Sequence, residues 1–221
     1  MPTARSARVA RPCSSPTATI AAIAASWSRR RRSSSKACAR RDAAARSDHR
    51  WRVEHAQVVS LTDIPVFEEL RGVASMQPTH ATSDMPWAET RLGRVRLAGA
   101  YAWRRFLQSR VHLALGSDFP VESADPRLGL YAAVTRQDLA GHPPGGWLPD
   151  QRLTPEEALR GFTSDAAWAG FMEHEVGRLA PGLRADFVLL DADPLSAPAD
   201  RLPKIRVLAT WVDGRPVYGA R

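Results

Sequence analysis

Residues 111–122 read VHLALGSDFPVE, and this stretch decides the fold class. Its first part, Val111–Leu115, is a short apolar run that stops at Gly116, a pattern typical of a strand buried on both faces of a parallel sheet. Asp118 follows directly after that turn. In α/β proteins built on parallel strands, catalytic and binding groups lie at the carboxyl ends of the strands. Asp118 is therefore either a site residue or a cap for the turn or helix that follows it.

Two earlier stretches repeat this pattern. WRVEHAQ (51–57) reads as a short strand that ends at His55. VASMQPTH (73–80) reads as a second strand that ends in a Pro-Thr-His turn at His80. Each of these two strands is therefore predicted to have a histidine at its carboxyl end.

Helical patterns separate these strands. TDIPVFEELRG (62–72) predicts a helix that begins near Asp63, has Pro65 in its first turn and ends before Gly72. Residues 91–109 carry a second helical pattern just before the third strand. Strands and helices that alternate at this spacing predict parallel βαβ units.

The remainder of the chain has clear helix and hairpin signals. In LTPEEALRGFTSDAAWAGFM, Thr154 is a candidate N-cap, Pro155 the first helical residue and Glu157 the partner of a capping box. Mixed apolar spacing in this stretch allows two short helices. The tail then turns to β-structure in ADFVLLDADP and RVLATWVDGRPVYG, and Asp213-Gly214 predicts a hairpin turn.

His55, His80 and Asp118 form a candidate site because parallel strands bring their ends to one edge of the sheet. One histidine at a strand end is usually a core or surface residue, but three successive polar strand ends are harder to explain in that way. Imidazole and carboxylate groups are ligands for zinc and similar divalent ions. A carboxylate next to an activated water can also accept its proton, which is a candidate role for Asp118.

Charge divides the chain into two parts. The formal net charge is +8, but residues 1–50 hold 12 Lys and Arg against 2 Asp and Glu, whereas residues 51–221 hold 19 against 21. The larger part therefore has a net charge of −2, which argues against a nucleic-acid function for it. Cys13 and Cys38 both lie in the first part, so nothing indicates a disulfide framework or a zinc cluster.

Residues 1–50 are rich in Ala, Arg and Ser and show no sustained period. Three interpretations stay open for this segment: a disordered basic arm, an export or transit peptide, or a stretch that is not the natural start of the protein. The abrupt change of composition near Arg50 favours the last. No run of about 18 apolar residues occurs, which predicts no transmembrane helix and a cytoplasmic location.

Several blocks together resemble the amidohydrolase superfamily, specifically the YtcJ-like metal-dependent hydrolases of amidohydrolase family 3. The blocks are RVEHAQ, MQPTHATSDMPW, LALGSDFPVE, LTPEEALRGFTSDAAWA and GRLAPGLRADFVLLDADP. The resemblance implies an α/β fold: the C-terminal portion, about strands 6–8, of a (β/α)8 TIM-type barrel in residues 51–177. Residues 178–221 would form part of a small β-sandwich, and residues 1–50 would lie outside the native fold.

The resemblance also implies roles. His55 would be the metal ligand after barrel strand six, Asp118 the strand-eight aspartate that contacts metal and acts as base, and His80 a substrate-facing histidine. The implied cofactor is a divalent metal, zinc by expectation, with one or two ions. The implied reaction is hydrolysis of a non-peptide carbon–nitrogen bond in a small amide-like substrate.

The chain departs from the family pattern in ways that affect function. It has no His-x-His pair, and neither Lys36 nor Lys204 lies at a strand that could bridge two metals. Barrel strands one to five have no counterpart, which predicts a truncated chain that is inactive alone and self-associates through open sheet edges. Two alternatives remain: a half-enzyme that another chain complements, and a non-catalytic binding module that uses the basic arm on nucleic acid or acidic partners.

Overall fold

The computed structural model describes residues 48–219, and its first sheet is parallel. The strands are β1 (Arg52–Glu54), β2 (Val73–Met76) and β3 (His112–Leu115), in the spatial order β1-β2-β3. Glu54 pairs with Ser75, and Met76 pairs with Leu115, so the three carboxyl ends lie at one edge. The predicted parallel βαβ series is therefore confirmed, with each strand within one or two residues of its predicted position.

Six α-helices accompany this sheet in the described part of the chain. They are α1 (Ile64–Glu69), α2 (Pro78–Leu97), α3 (Trp103–Gln108), α4 (Pro126–Thr135), α5 (Pro155–Phe162) and α6 (Ser164–Ala169). Helix α1 begins after Asp63, as the sequence predicts. Within residues 48–219, no helix is both long and apolar enough to cross a bilayer.

The tail forms a separate antiparallel sheet. Its strands are β4 (Phe187–Leu190), β5 (Val207–Val212) and β6 (Arg215–Tyr218), and two short 3₁₀ helices span Pro149–Gln151 and Ala199–Lys204. Asp213 and Gly214 join β5 to β6 with φ angles of 52° and 71°, which confirms the predicted hairpin turn. A turn of this kind requires positive φ at both central residues.

The prediction of one helical stretch over residues 91–109 is wrong. Helix α2 ends at Leu97, and the chain leaves helical geometry before α3 begins at Trp103. The intervening backbone pairs with the segment after β1 instead: Val59 N donates to Gly99 O (3.0 Å) and Tyr101 N donates to Gln57 O (2.7 Å). A Cβ on Gly99 would lie 1.9 Å from Val59 O, so only glycine permits this approach. A tertiary contact thus overrides the helical pattern.

The predicted Pro-Thr-His turn at His80 is also wrong. Pro78 occupies the start of α2, and His80 lies in the first turn of that helix, where it is buried. Proline is favoured at the first helical position because it has no N–H to satisfy and its φ suits the helix. The proline that suggested a turn therefore begins a helix.

The core beside the sheet is built around α3. Trp103 and Phe106 are fully buried and pack with Met76, Leu113 and Leu115 in one apolar cluster. The buried Arg136 side chain lies over the Trp103 ring, with its guanidinium carbon 4.3 Å from the ring centroid. Burial lowers the pKa of Arg136, and its contacts with the carbonyls of Trp147 and Tyr101 satisfy two of its nitrogens.

Contacts with the body begin before Trp51. The Arg50 side chain donates to both carboxylate oxygens of Glu173, at 2.8 and 2.6 Å, and it lies between the rings of Trp168 and Phe171. Residues 1–47 lie outside the described residues. The three interpretations of the front segment therefore remain predictions for that part.

The capping box at α5 is present as predicted. Thr154 Oγ1 accepts from Glu157 N (3.2 Å), and Glu157 Oε2 accepts from Thr154 N (2.8 Å). We expect Thr154→Ala to lower the free energy of unfolding by about 1 kcal/mol, because it leaves a helix N–H without its cap. Urea unfolding of the purified chain measures this, with Thr90→Ala on the exposed side of α2 as control. Equal losses in the two variants would contradict the prediction.

Candidate metal centre

The structure brings His55, His80 and Asp118 together at the carboxyl edge of the parallel sheet. His55 follows β1 directly, His80 lies just after β2, and Asp118 lies just after β3. One ligand atom from each lies within 4.8 Å of the others, and this is the only such group of His, Cys, Asp and Glu in residues 48–219. The predicted convergence of these three residues is thus observed.

The three side chains of this group are close together but are not hydrogen-bonded to one another. Asp118 Oδ2 lies 3.9 Å from His55 Nδ1 and 3.7 Å from His80 Nε2. The imidazole rings are 5.7 Å apart between centroids. Around a tetrahedral zinc ion with bonds of ~2.0–2.1 Å, ligand atoms are about 3.3 Å apart. Three residues with donor atoms within 4.8 Å of one another therefore form a group of the size of one ion site.

The backbone at two of these positions is unusual. His55 and Asp118 have φ angles of 68° and 59°, in the left-handed region that non-glycine residues rarely adopt. Such conformations cost free energy and are concentrated at functional sites. His55 follows β1 directly, and Asp118 is the third residue after β3.

Burial and partners distinguish the two histidines. The His55 side chain is 35% exposed, and its Nδ1 lies 2.9 Å from Gln77 Oε1. A carbonyl oxygen only accepts, so in this contact Nδ1 carries the proton and Nε2 keeps its lone pair. His80 is 9% exposed, and its Nε2 has no hydrogen-bond partner. Burial lowers the pKa of His80 and favours its neutral form, although the Glu122 and Asp118 carboxylates oppose that shift.

Four polar residues of the site were not predicted from the sequence. Gln57, Asp84 and Tyr101 form hydrogen bonds behind His80, and Glu122 accepts a 2.6 Å hydrogen bond from Ser83. Gln57 lies two residues after His55 in a quoted block, but amide residues are common in loops. The only sequence feature that could have indicated these residues is their position near the strand ends.

Comparisons with known proteins point to one family. The sequence model of the amidohydrolase family matches residues 15–218. Putative amidohydrolase YtcJ of Bacillus subtilis (strain 168) is 31% identical over 167 residues, which is 76% of this chain and 32% of that protein. N-substituted formamide deformylase of Arthrobacter pascens is 36% identical over 111 residues, 50% of this chain and 20% of that protein.

A solved structure is similar as well. An uncharacterized metal-dependent hydrolase from Pyrococcus horikoshii OT3 superposes with a TM-score of 0.59 at 31% identity. The matched region covers 67% of this chain and 30% of that hydrolase. The chain thus spans about a third or less of the length of these relatives.

The fold and the family match define a TIM-barrel-related α/β protein of the amidohydrolase class. The chain belongs to the amidohydrolase family, as a YtcJ-like member. The resemblance drawn from its sequence blocks is therefore confirmed. The comparisons do not support the alternative of a binding module with a basic arm.

Proposed function

We propose that residues 51–177 are the C-terminal part, about strands six to eight, of a (β/α)8 barrel, and that residues 178–219 are part of a small β-sandwich. Three observations support this. The parallel strands are adjacent in sequence order, helices connect them, and the tail forms its own antiparallel sheet. The similar Pyrococcus hydrolase is about three times longer than the matched region.

The function that the site supports best is metal-dependent hydrolysis of a non-peptide carbon–nitrogen bond in a small amide-like substrate. One observation carries this proposal: a histidine after β1 and an aspartate after β3, the strands on either side of β2, converge where a divalent ion, proposed to be zinc, would be held. N-substituted formamides are suitable first substrates, because the relative from Arthrobacter pascens is a deformylase of such compounds.

Each residue has a distinct proposed task. His55 and Asp118 would hold the ion, which when bound supplies Lewis-acid polarisation and lowers the pKa of water. Asp118 would also accept the proton of the attacking water and pass it to the leaving nitrogen. His80, which is buried beside Asp118, would face the substrate.

We further propose that residues 48–219 do not complete the catalytic site. His55 and Asp118 supply two ligands, whereas catalytic zinc sites keep three protein ligands and an open position. A sheet of three parallel strands also cannot close into a barrel. β1 is exposed along its length and leaves an unpaired edge, so we expect self-association or the need for a complementary chain.

We expect the purified chain with added zinc not to hydrolyse N-substituted formamides, simple amides or hydantoin-like rings. The reason is the number of ligands. Two protein ligands are too few to hold the ion and also keep one of its positions open for water. The measurement is release of the amine or ring-opened product, with wild type and Asp118→Asn in parallel and His174→Ala as the matched surface control.

Metal-dependent turnover by the wild-type monomer, abolished in Asp118→Asn, would overturn the proposal of an incomplete site and support the family activity. Turnover that survives Asp118→Asn would show that the proposed base is wrong as well.

A further inference from the structure

Three side chains lie behind His80, away from the candidate metal centre. Gln57 Nε2 lies 3.3 Å from His80 Nδ1, 3.1 Å from Tyr101 Oη and 3.4 Å from Asp84 Oδ2. The Tyr101 hydroxyl in turn donates to Asp84 Oδ2. These residues come from three segments: the loop after β1, helix α2 and the break between α2 and α3.

The hydrogen-bond chemistry of this group fixes the orientation of the Gln57 amide. Burial raises the pKa of Tyr101, so its hydroxyl keeps the single hydrogen that it donates to Asp84. The oxygen of that hydroxyl can then only accept, and a carboxylate oxygen also accepts. The Gln57 atom that faces both must therefore be the NH2 group, because the amide oxygen has no hydrogen to offer.

The NH2 group has two hydrogens: the Tyr101 and Asp84 oxygens, which are bonded to each other, share one of them, and the other is left for Nδ1 of His80. A donor at Nδ1 requires that this nitrogen carry the lone pair, so the proton of the neutral ring is on Nε2. His55 has the opposite arrangement, because the amide oxygen of Gln77 faces its Nδ1. Two glutamines thus prepare two neighbouring histidines for different tasks.

We propose that Gln57, oriented by Tyr101 and Asp84, holds His80 as an Nε2–H donor for a substrate carbonyl oxygen and prevents it from acting as a metal ligand. Nε2 is buried and has no hydrogen-bond partner; Asp118 Oδ2 lies 3.7 Å away, beyond hydrogen-bond range. The substrate part of this inference rests on the proposed function. Gln57, Tyr101 and Asp84 are positioning residues, since they act through His80.

The test is ¹⁵N solid-state NMR of histidine-labelled chain without metal, at a pH of about 8, where ordinary histidines are neutral. This measurement does not require a monomer. The difference spectrum between wild type and His80→Asn identifies the His80 signals. We expect a protonated Nε2 and an unprotonated Nδ1.

In Gln57→Glu, a carboxylate replaces the donor, so we expect the signals to exchange, with Nδ1 protonated. Gln108→Glu makes the same substitution on an exposed part of α3 and should leave His80 unchanged. Zinc added to wild type should shift His55 and leave His80 Nε2 protonated.

Protonation at Nδ1 in the wild type would overturn the inference whether or not Gln57→Glu folds. An unchanged tautomer in folded Gln57→Glu, or loss of the Nε2 proton on zinc addition, would also overturn it. A chain that shows the expected tautomer but no response of His55 to zinc would count against the proposed function alone.

Discussion

Truncation of Trp103 to alanine is expected to lower the free energy of unfolding by about 3–5 kcal/mol. The indole is fully buried at the start of α3, between the parallel sheet and the buried Arg136 guanidinium. Its removal leaves a cavity that the surrounding side chains fill only in part, and it takes away the aromatic face that lies against a buried charge. Urea unfolding followed by circular dichroism measures the loss.

Trp87→Ala is the matched control, because this indole lies on α2 and is 48% exposed. We expect a loss below about 1 kcal/mol there, as is usual for surface substitutions. Similar losses in the two variants would show that α3 does not pack against the sheet as described.

The strand framework could be predicted because its signals are local. A run such as Val111–Leu115 is apolar at every position and stops at a glycine, and the ends of parallel strands share one edge. From this it followed that His55 and Asp118 would meet, as they do at 3.9 Å. The hairpin at Asp213-Gly214 and the capping box at Thr154 are equally local.

The break between α2 and α3 could not be predicted from local sequence. Leu97, Tyr101 and Leu107 fit one helical face, but the backbone near Gly99 pairs with Val59, which is far away in sequence. This contact also places the Tyr101 hydroxyl within hydrogen-bond distance of Gln57 and Asp84. The hydrogen bonds behind His80 therefore depend on the same long-range pairing that ends the helix, and no periodicity reveals them.

The central claim is that His55 and Asp118 hold a divalent metal. The most direct measurement is zinc binding by equilibrium dialysis, in a Cys13→Ser/Cys38→Ser background because thiolates are strong zinc ligands. We expect His55→Ala and Asp118→Asn each to weaken binding at the site by at least about 10-fold, since loss of a ligand's outer partner alone costs ~10–100-fold.

His174→Ala is the control, because that side chain is 89% exposed and contacts Glu173, which binds Arg50 just before the start of β1. The account predicts wild-type affinity in this variant and lost affinity in the other two. Zinc binding that is unchanged in both His55→Ala and Asp118→Asn would contradict it.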